Sequence, residues 1–347
     1  MSEFYNRYPT ILKCNSLYIM CINTGMYRDG ISKIFIIDKD NNIVENKIIE
    51  ESKFYMTHNL TIIKGIDGNI YAIGGLIRNQ KPFLPKLKKK DDKRLRNMKQ
   101  KRIKKINKLS GVYILKSKDY NKWEYNSVPI FSVDKIPKNN ISSMKFDTDK
   151  KKMYEDKAPE FDSNICCFFS EILKKYVFFG RANLYTGCRS IQVSTSSDLH
   201  NWSDFIKIKL TNFIEQPEKN NLYMFKCIEI PEKSVFLGLS VFTDINNFPT
   251  EIYIKKMLSY DTINWIDCGK LLDIPLHTDN CHANTHISEI MYDKDSEILE
   301  IFLLENCLDA DSFISKYKVS FSITENIEEQ FFKLSLSDIK KEIFWSL

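Results

Sequence analysis

The stretch EFDSNICCFFSEILKKYVFFGRANLYTGCRSIQVSTSSDLHNWSDF, residues 160–205, decides the fold, because it reads as four short strands in succession with a turn signal at each joint. Residues 165–169 and 176–179 are apolar runs, residues 190–195 alternate like a strand with one wet face, and Trp202 opens a fourth strand after a polar turn. A four-stranded antiparallel meander of this kind is one blade of a β-propeller. Its third strand ends in Ser196, Ser197 and Asp198, and Trp202 follows four residues after the aspartate. The same phrase occurs twice more, as Ser117, Lys118 and Asp119 with Trp123, and as Ser259, Tyr260 and Asp261 with Trp265. Self-similarity at intervals of some tens of residues marks a repeat architecture. The repeated residues have a structural job: the aspartate caps the tight turn, and the indole fills the gap between neighbouring blades.

Working outward, residues 58–63, a turn at 67–69 and residues 70–76 open the blade that contains Trp123. Residues 11–49 hold three strand-like runs, at 17–22, 33–37 and 43–49, which is a blade one strand short. The segments around 331–336 and 343–347 are expected to supply that strand, so that N- and C-terminal strands together close the ring and leave no open edge. A further blade over residues 286–322 brings the count to five. The sequence therefore predicts an all-β fold, a five-bladed β-propeller of four-stranded antiparallel blades, with residues 1–347 as one domain.

The composition fits an ordered core: 43% of the 347 residues are hydrophobic and 13% aromatic, which excludes wholesale disorder. No apolar run approaches a membrane span, and the opening MSEFYNRYPTILK lacks the basic and then apolar layout of a secretory signal. These features predict a cytoplasmic protein without a membrane partner. Nine cysteines, an odd number at scattered spacings, suit reduced thiols inside a cell better than a disulfide framework. The formal net charge of +6 is local, because half of residues 81–108 are Lys or Arg and the rest of the chain is acidic. This segment reads as a solvated surface insertion, residues 80–109, within the second blade. It has almost no aromatic residues to stack on bases, which argues against nucleic acid as its partner.

Propeller sites lie at the end of the channel where the innermost strands begin, and the residues there are polar in the second to fifth blades. The second blade offers His58 and Asn59, and the third Glu160, Asp162 and Asn164. The fourth offers Glu215, Glu218 and Asn220, and the fifth Asp279, His282, Asn284 and His286. Arg181 and Arg189, at the end of one strand and the start of the next, reach toward the same mouth. Any one asparagine here could simply cap a turn; recurrence at one place in successive blades is what points to a site. His277, Cys281, His282 and His286 crowd together, but their spacing matches no standard zinc pattern. No glycine-rich phosphate loop, G-x-S-x-G or dinucleotide fingerprint is present.

Three runs carry a family resemblance: HNLTIIKGIDGNIYAIGGL at 58–76, FDSNICCFFSEILKKYVFFGR at 161–181 with the following GCRSIQVSTSSDLHNWSDF, and Glu215-Gln216-Pro217. Over residues 55–270 the chain resembles the five-bladed propellers of glycoside hydrolase families 32 and 43, which include invertases and arabinanases. The resemblance implies three carboxylates on separate blades: a nucleophile or base, an aspartate that stabilises the transition state, and a glutamate acid. It implies Asp162 as the stabilising aspartate and Glu215 as the general acid. Where the resemblance leads one to expect the first aspartate, this chain has Asn59, and an amide neither protonates a leaving group nor activates water at neutral pH. The resemblance further implies a carbohydrate ligand, for which the polar residues already read at the mouth, His58, Asn59, Asn164, Arg181, Arg189, Asn220 and His286, are the expected contacts. It implies no cofactor beyond an ion or water held in the channel near His282 or His286. Two function classes follow, a glycosidase and a catalytically inactive propeller that binds a glycan or a protein partner.

Overall fold

The structure, a computed structural model, describes residues 9–24, 31–49, 59–76, 111–132, 161, 163–183, 188–211, 220–244, 252–274, 285–305, 313–326 and 331–346. They form five antiparallel meanders. The first blade is β1 (Thr10–Cys14), β2 (Leu17–Thr24), β3 (Ile31–Ile37) and β4 (Ile43–Ile49). The second is β5 (Thr61–Lys64), β6 (Ile70–Leu76), β7 (Gly111–Ser117) and β8 (Glu124–Tyr125). The third is β9 (Cys166–Ser170), β10 (Lys175–Asn183), β11 (Arg189–Ser196) and β12 (Ile206–Lys207). The short β13 (Lys209–Leu210) then joins the fourth blade, β14 (Asn220–Ile230), β15 (Val235–Asp244), β16 (Ile252–Ser259) and β17 (Asn264–Asp273). The fifth is β18 (His286–Asp293), β19 (Ile298–Glu305), β20 (Phe313–Asn326) and β21 (Phe331–Ser346).

Five apolar clusters fill the five gaps between successive blades and so define the ring. Ile19 and Cys21 meet Leu60 and Trp123 between blades one and two. Ile73 and Ile114 meet Ile165 and Phe178 at the next gap, and Phe179 and Val193 meet Phe225 and Trp265 at the third. Leu237 and Ile254 meet Ile287 and Leu303 at the fourth, and Phe302 and Phe344 meet Ile11 and Tyr18 where the ring closes. The inner strands β1, β5, β9, β14 and β18 touch their neighbours around the channel. The protein is therefore a five-bladed β-propeller. Among the described residues no helix is long and apolar enough to cross a membrane.

The ring closes differently from the expected shared blade. Residues 10–14, TILKC, form their own inner strand and complete the first blade, while Phe331–Ser346 completes the fifth. The first and last blades meet face to face instead of exchanging strands. β1 escapes detection in the sequence because it is five residues long and its pattern is broken by Lys13. The closing interface carries a buried charge: Lys316 Nζ lies 2.8 Å from Glu300 Oε1 and donates to the Tyr18 hydroxyl at 2.9 Å. It sits over the Tyr18 and Phe302 rings at 4.8 and 5.5 Å, so two cation–π contacts supplement the ion pair. Burial, and next the Glu300 carboxylate, push the Tyr18 phenol up to about 12.

The three Asp–Trp turns are copies of one another. In each, the aspartate Oδ1 accepts two backbone N–H groups: from Asn121 and Lys122 at Asp119, His200 and Asn201 at Asp198, and Ile263 and Asn264 at Asp261. The residue after the aspartate adopts a left-handed conformation, with φ of 52° at Tyr120, 66° at Leu199 and 68° at Thr262. That conformation costs a non-glycine residue on the order of 1 kcal/mol. The same residue's carbonyl accepts the indole N–H of the tryptophan, at 3.1 Å for Trp123, 2.9 Å for Trp202 and 2.8 Å for Trp265. The turn thus fixes the indole, and the indole fills the gap toward the preceding blade. Gly238 makes room for one of them, since a Cβ there would lie 2.6 Å from Trp265 and 2.7 Å from Phe225.

The basic insertion, residues 80–109, lies outside the described residues. The strands that bracket it are paired, with Leu76 opposite Gly111, so the described strand ends on its two sides are neighbours.

Candidate functional site at the mouth of the channel

The mouth is where the five inner strands begin, and buried polar side chains tie those beginnings together. Asn59, buried and left-handed at φ 55°, donates through Nδ2 to the Phe161 carbonyl at 3.5 Å, joining blades two and three. Its Oδ1 is buried with no hydrogen-bond partner among the described residues. Asn164 donates to the Ile287 carbonyl at 3.0 Å, crossing from blade three to blade five. Lys226, 1% exposed, donates to the Ile165 carbonyl and to Glu289 Oε2, both at 3.2 Å. Thr10 donates to the same Glu289 oxygen at 3.3 Å. All five blades contribute to this girdle.

Two irregularities place its charged members. Pairing between β14 and β15 shifts between Tyr223 and Lys226, with Met224 left-handed at φ 53°, and pairing between β18 and β19 shifts between Ile287 and Glu289. A bulge adds a residue to one strand and re-aims the side chains that follow it. In this propeller two bulges on adjacent inner strands bring Lys226 and Glu289 together. The ion pair offsets the desolvation that either charge would suffer alone.

Above the girdle, blades three, four and five form a polar and aromatic cluster. The Arg189 guanidinium lies 4.9 Å from the Tyr223 ring centre, and Tyr223 meets His286 edge to face at 6.4 Å. The Arg189 backbone N–H donates to Asn221 Oδ1 at 2.6 Å, pinning β11 to β14. Arg181 is buried, and its carbonyl accepts from Gln192 Nε2 at 2.9 Å. A small cleft of about 10 Å³, room for a single water, is lined by Asn164, Arg181, Ser190 and Tyr223. Asn220 and His286 are half-buried at the first positions of β14 and β18.

Of the candidates named from sequence, Asn59, Asn164, Arg181, Arg189, Asn220 and His286 lie at this end of the channel. Asp162, Glu215, His58 and His282 lie outside the described residues, as do Glu160, Glu218, Asp279 and Asn284. Phe161 and Ser163, on either side of Asp162, are buried at the start of the third blade. Lys226, Glu289, Tyr223, Asn221 and Thr10 escaped the sequence reading. Lys226 and Glu289 follow the bulges, which no residue pattern announces, while Thr10, Asn221 and Tyr223 lie in regularly paired stretches of β1 and β14. Among the described residues no three His, Cys, Asp or Glu side chains cluster as a metal site. The neighbouring thiols are quiet: burial raises Cys166 to about 12 and lifts Cys167 and Cys227 well above their usual range.

The fold is that of five-bladed propellers among the carbohydrate-active enzymes. A thermostable family-43 glycoside hydrolase is similar with a TM-score of 0.52 at 10% identity, over 94% of this chain and 92% of its own. A β-1,2-mannobiose phosphorylase from Listeria innocua, in complex with β-1,2-mannobiose, is similar with a TM-score of 0.53 at 10% identity, over 91% of this chain and 90% of its own. An N-acetylgalactosamine deacetylase from F. plautii gives 0.51 at 10% identity, over 100% of this chain and 91% of its own. At such identities the likeness establishes the fold alone. No protein-family profile matches the sequence, and no curated protein matches it.

Proposed function

We propose that this chain is a carbohydrate-active protein of the glycoside hydrolase type, and that it binds a sugar at the mouth of the channel. The observation that carries this reading is the convergence of Arg189, Tyr223 and His286 beside the buried Asn164 and Arg181. An aromatic face with amide and guanidinium donors around it suits a ligand that is apolar on its ring faces and polar at its edges. Asp162, between the buried Phe161 and Ser163, is the carboxylate for vicinal hydroxyls, and Glu215 is the general acid. Asn59 favours a second reading. Its amide is engaged with the Phe161 carbonyl and supplies no base, so the pocket then holds a glycan without cleaving it.

The test pairs a panel of aryl glycosides with a glycan array, applied to the unaltered protein and to Asp162→Ala, Glu215→Gln and Asn59→Asp. Loss of binding in Asp162→Ala, with binding kept and turnover lost in Glu215→Gln, supports the enzyme. Binding without turnover in the unaltered protein, with hydrolysis gained by Asn59→Asp, supports the inactive relative. Failure of every carbohydrate to bind overturns both.

A further inference from the structure

Closing the ring leaves each blade with an outermost strand, and the free edge of such a strand is a template for another. In four of the five blades that edge is short, covered or charged. β8 and β12 are two residues long, β13 lies along the first residues of β17, and β21 presents Lys340, Lys341 and Glu342. β4 differs. It is seven residues long and, among the described residues, pairs with β3 alone. Three of its apolar side chains stand in solvent, Ile43 at 44%, Val44 at 57% and Ile48 at 52% exposed. β3 holds residues 45–49 in regular register, with Val44 the extra residue of a bulge at the end of that run.

The sequence of β4, IVENKII, is self-complementary about Asn46. Where an antiparallel strand meets a copy of itself across a two-fold axis at Asn46, each residue lies opposite the one equally far beyond the axis. Glu45 then faces Lys47 of the second copy, Lys47 faces Glu45, and Val44 faces Ile48. Within one chain Lys47 Nζ already lies 2.7 Å from Glu45 Oε1. The second copy adds the same pair reversed, so the four charges alternate in sign around the axis and none meets its like. Opposite charges directly across a strand pair stabilise it, and like charges oppose it. Moving the axis to Glu45 or to Lys47 would set like charges face to face, so this register is selected over its neighbours. Val44 and Ile48 of both copies cover one another at the same time.

We propose that β4 is a self-association edge, through which two copies of this chain form an antiparallel two-fold dimer. Their four-stranded first blades then join into one continuous sheet. β4 is the outermost strand of its blade, so the dimer leaves each channel open and is independent of the sugar site. One strand from each copy is a small contact, at the low end of specific interfaces.

Sedimentation equilibrium of the full chain between ~1 and ~300 µM should show monomer and dimer in exchange, with a dissociation constant on the order of 10 µM. Glu45→Lys and Lys47→Glu each set like charges opposite one another, and each should weaken self-association about tenfold or more. The melting temperature of either variant in dilute solution should be little changed, since both positions are on the surface. Mixed in equal amounts, the two variants set only opposite charges across the axis and should form a mixed dimer about as strong as the unaltered one. A protein that stays monomeric over this range overturns the proposal. So does a dimer that both variants leave unweakened, and so do variants that fail to associate when mixed.

Discussion

The outer turns of the blades and the beginnings of their inner strands are built from the same residue types, asparagine, aspartate, serine and threonine, yet they hold the ring by opposite means. In the turns every bond is local. Asp198 takes its donors from His200, Asn201 and Ser196, two or three residues away. At the mouth the partners are remote: Asn59 reaches a carbonyl 102 residues on, Asn164 one 123 residues on, and Thr10 a carboxylate 279 residues on. The turns therefore form as each blade forms, whereas the girdle exists only once the ring is closed. Stability invested in the turns leaves the mouth free to vary, and the three turns agree with one another while no two inner-strand beginnings do.

The largest effect expected on this contrast comes from the indole at the end of a turn. Trp265 is fully buried between blades three and four, and Trp265→Ala should cost about 3–5 kcal/mol in denaturant unfolding, the usual figure for a large aromatic removed from a core. Trp202, only partly buried, should cost less in the same measurement. A smaller loss at Trp265 than at Trp202 would break the equivalence of the three gaps.

Next comes the girdle. Lys226→Met leaves Glu289 charged and half-enclosed with its partner gone, and should cost about 3 kcal/mol. The double variant Lys226→Met with Glu289→Gln should recover much of that loss, because the uncompensated charge is removed. Additive losses in the double variant would show that the pair is not coupled.

The smallest effect belongs to the turn caps. Asp198→Ala should cost about 1 kcal/mol, the scale of a surface cap with several donors. Here the pH dependence has a definite sign. The N–H of Asn201, followed by its side-chain amide and the N–H of His200, holds the Asp198 carboxyl well below its usual range. Asp119 is lowered chiefly by the Asn121 N–H. Burial opposes the Asp261 carboxylate, but the Asn264 N–H and amide outweigh it and the net shift is also downward. A depressed carboxyl contributes stability that is present above its unfolded value of about 3.9 and is lost as the pH falls through the folded value. The difference in melting temperature between the unaltered protein and Asp198→Ala should therefore be constant above about pH 5 and shrink below about pH 4. A difference that grows on acidification would contradict the cap.

The same contrast explains what could be read from the sequence. The Ser-x-Asp turns with their tryptophans were legible, because the residues that make each turn lie within seven positions of one another, as in Ser196 to Trp202. From them three blades and their order followed, and the strand-like runs at 11–49 and 286–322 supplied the other two. The closure was not legible. TILKC is a short strand with a lysine in its middle, and nothing local distinguishes an exchanged strand from two complete blades that pack through Tyr18, Phe302 and Lys316. At the mouth, asparagines and arginines at or beside the strand ends could be named, since polar residues there break the apolar pattern. Lys226 and Glu289 could not, since their inward aim depends on bulges.

The central claim, that the mouth recognises a carbohydrate, is tested most directly by glycan-array screening followed by titration of the best ligand against the unaltered protein, Arg189→Ala and Asp198→Ala. The account predicts that a carbohydrate binds and that Arg189→Ala, which removes the guanidinium over Tyr223, weakens it about tenfold with little change in melting temperature. Asp198→Ala, on an outer turn, should lower the melting temperature and leave the affinity as it was. A protein that binds no carbohydrate, or one whose affinity follows Asp198 and ignores Arg189, would contradict it.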